Sequence, residues 1–347
     1  MKQKLISAVM AMLMAIAVIP LVGCFGGAQA RPTLRVFNYG MFIDPAVLRE
    51  FEEEYGVRII YNEFNSNEEM YIVVSRNPRA HDVIVASDYM IDRMIQEELL
   101  ARLDHSLIPN IRNIAPQYLG AAYDPNNEFS IPYKVGTLGI IYNTTMVYEP
   151  VTSWSALWDE RYAGEIFIWD SVRDGVGMAL AYLGFSMNST DEEELMAAQE
   201  ALLRQRPLVQ AYLGDEIMDK MIGGEGILAL EYSGGAAFSM SENPDLNFVV
   251  PYEGSNKWKN SWAVLRETEE LELAHKFINF INRPDVARRN MAFTFYTTPV
   301  YAAWEYFDDC PVKFPSDEVL ARSEEFVFDR EGARRKAEIW TIVTATR

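Results

Sequence analysis

From Leu34 onward the apolar positions switch between two periods. Leu34, Val36 and Tyr39 predict a short strand. Asp44-Pro45 then reads as a helix N-cap with proline at the first helical position. Val47, Leu48, Phe51 and Tyr55 recur at helical spacing, with Glu50, Glu52 and Glu53 on the opposite face, and Gly56 stops the helix. Val57 to Tyr61 predicts the next strand, and Ser66-Asn67-Glu68-Glu69 a capping box opening a helix through Ser75. Asp82 to Ala86 is a continuous apolar run of the buried parallel-strand kind, followed by the stripe Met90, Ile91 and Met94. The pattern βαβαβα predicts a parallel sheet covered by helices.

The second half repeats this grammar more loosely. Phe129 to Asn143 is a long extended segment punctuated by Pro132, Gly136 and Gly139, read as a crossover between lobes. Ser153 to Trp158 reads as a capped helix, Glu165 to Trp169 as a strand, and Met178 to Leu183 and Asp191 to Leu203 as helices. Gly226 to Leu230 predicts a buried strand with Glu231-Tyr232-Ser233-Gly234-Gly235 at its carboxyl end. Phe248 to Pro251 predicts a strand and Tyr252 to Ser261 the return crossover. Leu271 to Ile281 is helical, Tyr296 to Pro299 a loop, and the chain from Glu331 helical. Two α/β lobes joined by two crossovers put a cleft between the strand ends of both.

Composition adds a compartment. Lys2 and Lys4, the apolar run from Ile6 to Leu21 and the sequence Leu21-Val22-Gly23-Cys24 describe an export signal over residues 1–23. The remaining cysteine, Cys310, lacks a disulfide partner once Cys24 is modified, and sits in Asp308-Asp309-Cys310-Pro311 as a small filler residue. The formal charge of −19 argues against a nucleic-acid partner, whose footprint is basic.

Catalytic chemistry is missing from the pattern. His81, His105 and His275 have no second ligand at metal spacing. There is no phosphate loop, and Ser233 lacks the leading glycine of a nucleophile elbow. The expectation is no enzyme, no metal and no cofactor. What recurs is aromatic residues at predicted strand ends: Tyr39, Phe42, Tyr89, Tyr232, Trp258 and Tyr296. Such a cage suits an aliphatic chain, or an ammonium through cation–π contact.

Phe37-Asn38-Tyr39-Gly40, Asp82 to Tyr89, Ser130-Ile131-Pro132-Tyr133, Val151 to Trp158, Asp170 to Asp174, Glu253 to Trp258 and Tyr296-Thr297-Thr298-Pro299 occur in an order that resembles the spermidine/putrescine-binding proteins of ABC importers. The resemblance covers nearly all of the chain beyond the signal. It implies two Rossmann-like lobes of the periplasmic-binding-protein type, closing on a ligand by hinge motion. The approximate division is 33–134 plus 261–305 for one lobe and 135–257 plus 306–347 for the other. It also implies a polyamine held by Tyr39, Phe42, Ser87, Tyr89, Asp174, Tyr232, Trp258, Asn260 and Tyr296, with a permease and ATPase complex as partners of a monomer. The Leu-Val-Gly-Cys signal resembles a lipobox, which implies lipid on Cys24 and an extracytoplasmic, membrane-anchored or periplasmic protein. The chain departs from the family at Met41, Gly235 and Asn260, where acids are usual, at Ser171, where some members carry one, and at Phe42, which lacks a hydroxyl. These departures leave two alternatives. One is the same fold tuned to a less cationic solute, unless Glu231 or Asp170 compensates for the missing acids and keeps the polyamine site. The other is a surface lipoprotein with a non-transport binding role.

Overall fold

The computed structural model describes residues 31–306 and 317–346. The signal, Cys24 and Cys310 lie outside the described residues. Three strands and three helices alternate at the start: β1 (Thr33–Tyr39), α1 (Pro45–Tyr55), β2 (Arg58–Phe64), α2 (Asn67–Arg76), β3 (Val83–Ser87) and α3 (Asp88–Gln96). Local chemistry sets their ends. The Asp44 carboxylate accepts from the Ala46 amide at 2.8 Å, and Gly56 takes the left-handed conformation that ends α1 (φ 66°). Ser66 accepts from the Glu69 amide at 3.2 Å. Glu69 reaches back to the amide of Asn65, one residue short of a full capping box.

The chain continues as β4 (Ser130–Asn143), β5 (Ile166–Trp169), α4 (Val172–Tyr182), α5 (Glu192–Gln205), β6 (Val209–Leu213), α6 (Glu216–Ile222), β7 (Leu228–Tyr232), α7 (Ser233–Glu242), β8 (Leu246–Val249) and β9 (Lys257–Val264). It closes with α8 (Leu271–Ile281), α9 (Pro284–Thr294), α10 (Asp317–Arg322) and α11 (Arg330–Ala345). Three expectations need correction. Trp154–Trp158 is a 3-10 turn, capped by Ser153. The strand expected to end at Leu230 runs to Tyr232, and a helix begins at Ser233. Residues 257–261, read only as part of the return crossover, are strand, because Trp258 to Val264 are buried on both faces and pair with two neighbours. Reading by apolar period missed β6, α6 and α9. In α9, Arg288, Arg289 and Asn290 interrupt the apolar stripe.

Among the described residues the strands join in one sheet of nine, in the order β2-β1-β3-β9-β4-β7-β5-β6, with β8 paired to β4. β1, β2 and β3 are mutually parallel, as are β5, β6 and β7. The crossovers are themselves strands. β4 pairs with β9 over Ser130–Thr137 and then with β7 and β8 over Leu138–Asn143. The ladder is therefore unbroken between the two lobes, with one register shift between Pro132 and Lys134. Helices cover the sheet with aromatic-rich cores. Phe51 of α1 meets Phe277 and Phe280 of α8 edge-on, with ring centroids 5.2 and 5.3 Å apart. Each such fully buried ring contributes about 1.5–3 kcal/mol.

The histidines lie in ordinary structural contacts. His81 stacks on Phe37 at 4.2 Å, His275 accepts from the Asp104 amide at 2.9 Å, and His105 bonds the Asn127 carbonyl at 2.7 Å. Among the described residues no His, Cys, Asp and Glu cluster could hold a metal ion, and no helix is long and apolar enough to cross a membrane.

Candidate ligand-binding site

Strand ends and the two crossing strands deliver a continuous string of rings. Tyr39, at the end of β1, meets Phe42 at 5.2 Å between centroids. Phe42 meets Tyr296 at 5.3 Å, Tyr296 meets Trp258 of β9 at 5.5 Å, and Trp258 meets Tyr232 of β7 at 6.0 Å. All are tilted or edge-on, the favourable arrangement of aromatic quadrupoles. Two glycines make room. A Cβ at Gly136 would lie 2.4 Å from the Trp258 ring, and one at Gly234 would lie 2.1 Å from the Tyr296 ring.

Polar groups mark the two ends. Beside Tyr39, its hydroxyl donates to Asn67 at 2.8 Å and lies 3.2 Å from the Ser87 hydroxyl, which donates to Asn260 at 2.8 Å. Ser87 and Asn260 are cross-strand partners of β3 and β9, so sheet register makes this contact. At Tyr232 the hydroxyl donates to Asp174 Oδ2 at 2.7 Å, and Ser171 donates to the same oxygen at 2.5 Å. Asp174 is buried in the first turn of α4, and burial pushes its carboxyl up against the pull of these two donors. Burial likewise pushes the Tyr39 and Tyr232 hydroxyls up, so both are donors at neutral pH.

Tyr89 is held differently. Its hydroxyl donates to Glu68 at 3.1 Å, and the Arg173 guanidinium lies 3.5 Å from its ring centroid. Arg173 comes from α4, beside Asp174, so this cation–π contact spans the two halves of the sheet. Sequence reading missed Arg173, Asn67 and Glu68. Their signal is only that they neighbour residues already singled out, Asp174 for the first and the capped turn of α2 for the others.

Met41 corrects an expectation. It is 73 % exposed at a left-handed turn (φ 54°), outside the ring string. Gly235 and Asn260 are buried.

The described fold has known relatives. Residues 46–310 match the family model for bacterial extracellular solute-binding proteins. The chain belongs to that family. Within it, this solute-binding protein is 35 % identical over 278 residues to the spermidine/putrescine-binding periplasmic protein of Escherichia coli, covering 80 % of each chain. It is 34 % identical, with 80 % of each chain covered, to the Salmonella typhimurium protein of the same description. Among solved structures it resembles the spermidine/putrescine ABC transporter substrate-binding protein PotD of Streptococcus pneumoniae. The TM-score is 0.81 at 34 % identity, covering 90 % of this chain and 98 % of that one. The fold is thus the two-lobed one of the periplasmic binding proteins, as expected from the sequence.

Proposed function

We propose that this protein is the solute-binding subunit of an ABC importer and captures a polyamine between its lobes. The observation that carries the reading is the unbroken string of rings from Tyr39 to Tyr232, ending on the buried Asp174 carboxyl. Ring faces suit the methylenes and attract an ammonium, and a buried carboxylate adds a charge-assisted hydrogen bond. The relatives named above are described as binding spermidine and putrescine, which agrees in chemistry. In this reading the protein is a carrier and not an enzyme. The lobes, 33–134 with 261–305 and 135–257 with 306–347, swing about β4 and β9, and the loaded protein docks as a monomer on a permease and ATPase complex. Lipid on Cys24 holds it at the outer face of the membrane.

Isothermal titration calorimetry with putrescine and spermidine tests this. Saturable binding well below millimolar ligand is expected. No heat at millimolar concentrations of either amine would overturn the polyamine assignment.

A further inference from the structure

Lys134 is fully buried at the register shift of β4 against β9. Burying an amine is costly unless its donors are used. Here Nζ donates to the Thr294 hydroxyl at 2.7 Å and to the Tyr296 carbonyl at 3.4 Å. It also lies 5.1 Å from the centroid of the Tyr133 ring. No carboxylate among the described residues offsets its burial. Its partners therefore belong to one short stretch, the end of α9 and the turn beyond it.

Thr294 is the node of that stretch. Its hydroxyl donates to the Asn290 carbonyl at 2.7 Å. It accepts from Lys134 and, at 3.4 Å, from the Tyr296 amide, so both lone pairs are used. Phe295 then takes the left-handed conformation (φ 59°), which a bulky residue keeps only where its surroundings hold it. The backbone of Tyr296 is gripped on both sides, its amide by Thr294 and its carbonyl by Lys134. The next residue of β4 adds a third hold, because the Val135 amide donates to the Thr297 carbonyl at 2.9 Å. Tyr39, Trp258 and Tyr232 project from strands, whereas Tyr296 projects from this turn. Its ring nevertheless occupies the middle of the string, between Phe42 and Trp258 and against the backbone of Gly234.

We infer that Lys134 is a positioning residue for the solute, which it does not touch: it sets the Tyr296 ring through the backbone on either side of that ring. This rests on the polyamine reading above only in that Tyr296 faces the solute. It goes further by naming a residue outside the ring string on which affinity depends. An apolar side chain of similar length would fill the same space and offer no donor to Thr294 or Tyr296.

The test is calorimetry of the full chain with putrescine, with Lys134→Met and Tyr296→Leu made singly and together. The lost hydrogen bonds predict that Lys134→Met weakens putrescine about tenfold. In the Tyr296→Leu background the same change should cost less than about twofold, because the ring it sets is gone. A lysine that merely stabilises the fold would cost the same in both backgrounds. A second readout needs no ligand. With fluorotyrosine incorporated and the Tyr296 fluorine resonance assigned by Tyr296→Phe, Lys134→Met should shift or broaden that resonance and leave that of the exposed Tyr148 in place. Should Lys134→Met fail to fold, Thr294→Val cuts the same link from its other end and takes its place in both measurements. Unchanged putrescine affinity, equal losses in the two backgrounds, or an unmoved Tyr296 resonance would each overturn the inference. Failure of the unaltered chain to bind either putrescine or spermidine would instead overturn the polyamine reading, and the fluorine resonance would still decide whether Lys134 sets the ring.

Discussion

Asp88 illustrates how a single buried group sets a pH dependence. It opens α3 with its Oδ1 accepting from the Tyr89 amide at 2.8 Å, while Oδ2 is buried without a partner. Burial, reinforced by the Glu325 charge, pushes its pKa up to about 7, against the opposing Lys259 and Arg173. The folded state therefore holds this proton to a higher pH than the unfolded chain, where an aspartate titrates near about 4. Stability from this group is fully present below about pH 4, is lost as pH rises toward 7, and is constant above that. Replacing Asp88 with Asn should flatten the change in melting temperature between pH 5 and pH 8. Unchanged pH profiles in thermal denaturation would reject the assignment. Other residue-scale features were legible beforehand. The aromatic residues stood out because strand ends in an α/β sheet point to one edge. Met41 was misjudged because a left-handed turn, not spacing, decides where it points.

At the scale of elements, β4 and β9 carry the site as well as the connection. Trp258 rests against the backbone of β4 at Gly136, and Ser233 approaches the same glycine, whose added Cβ would lie 2.6 Å from its hydroxyl. Gly136→Ala should push the Trp258 ring out of line, costing about 1–3 kcal/mol of stability as overpacking does. It should also weaken putrescine binding measured by calorimetry. A variant with unchanged melting temperature and affinity would mean that Trp258 shifts freely. The same strands mark the limit of periodicity as a guide. β1 to α3 were legible because alternating and helical spacings are clean there, and α1 and α2 each carry a side-chain N-cap. Lys257 to Val264 were not, since a strand buried on both faces and studded with Lys257, Lys259 and Asn260 shows neither period. Lys134 is a parallel case on β4. It is fully buried, and its amine donates to the Thr294 hydroxyl at 2.7 Å. Burial holds it well below the usual lysine range, so a residue that reads as surface on charge alone sits in the interior.

For the whole molecule, the proposed lipid on Cys24 has a direct consequence. Cys24→Ala should move the protein from the membrane pellet to the soluble fraction after cell fractionation, with putrescine affinity unchanged, because the anchor precedes the folded chain. Retention of the variant in the membrane fraction would remove the anchor from the picture. Finally, the ladder running through β4 and β9 differs mechanically from a pair of flexible tethers. If the lobes open, they must bend hydrogen-bonded backbone, which behaves as a leaf spring with a preferred axis and a restoring force. The work of bending is then subtracted from the ligand's grip, so observed affinity reports contact energy less elastic energy. Two proteins with identical rings and acids could hold the same diamine unequally, solely through the stiffness of the strap between their lobes.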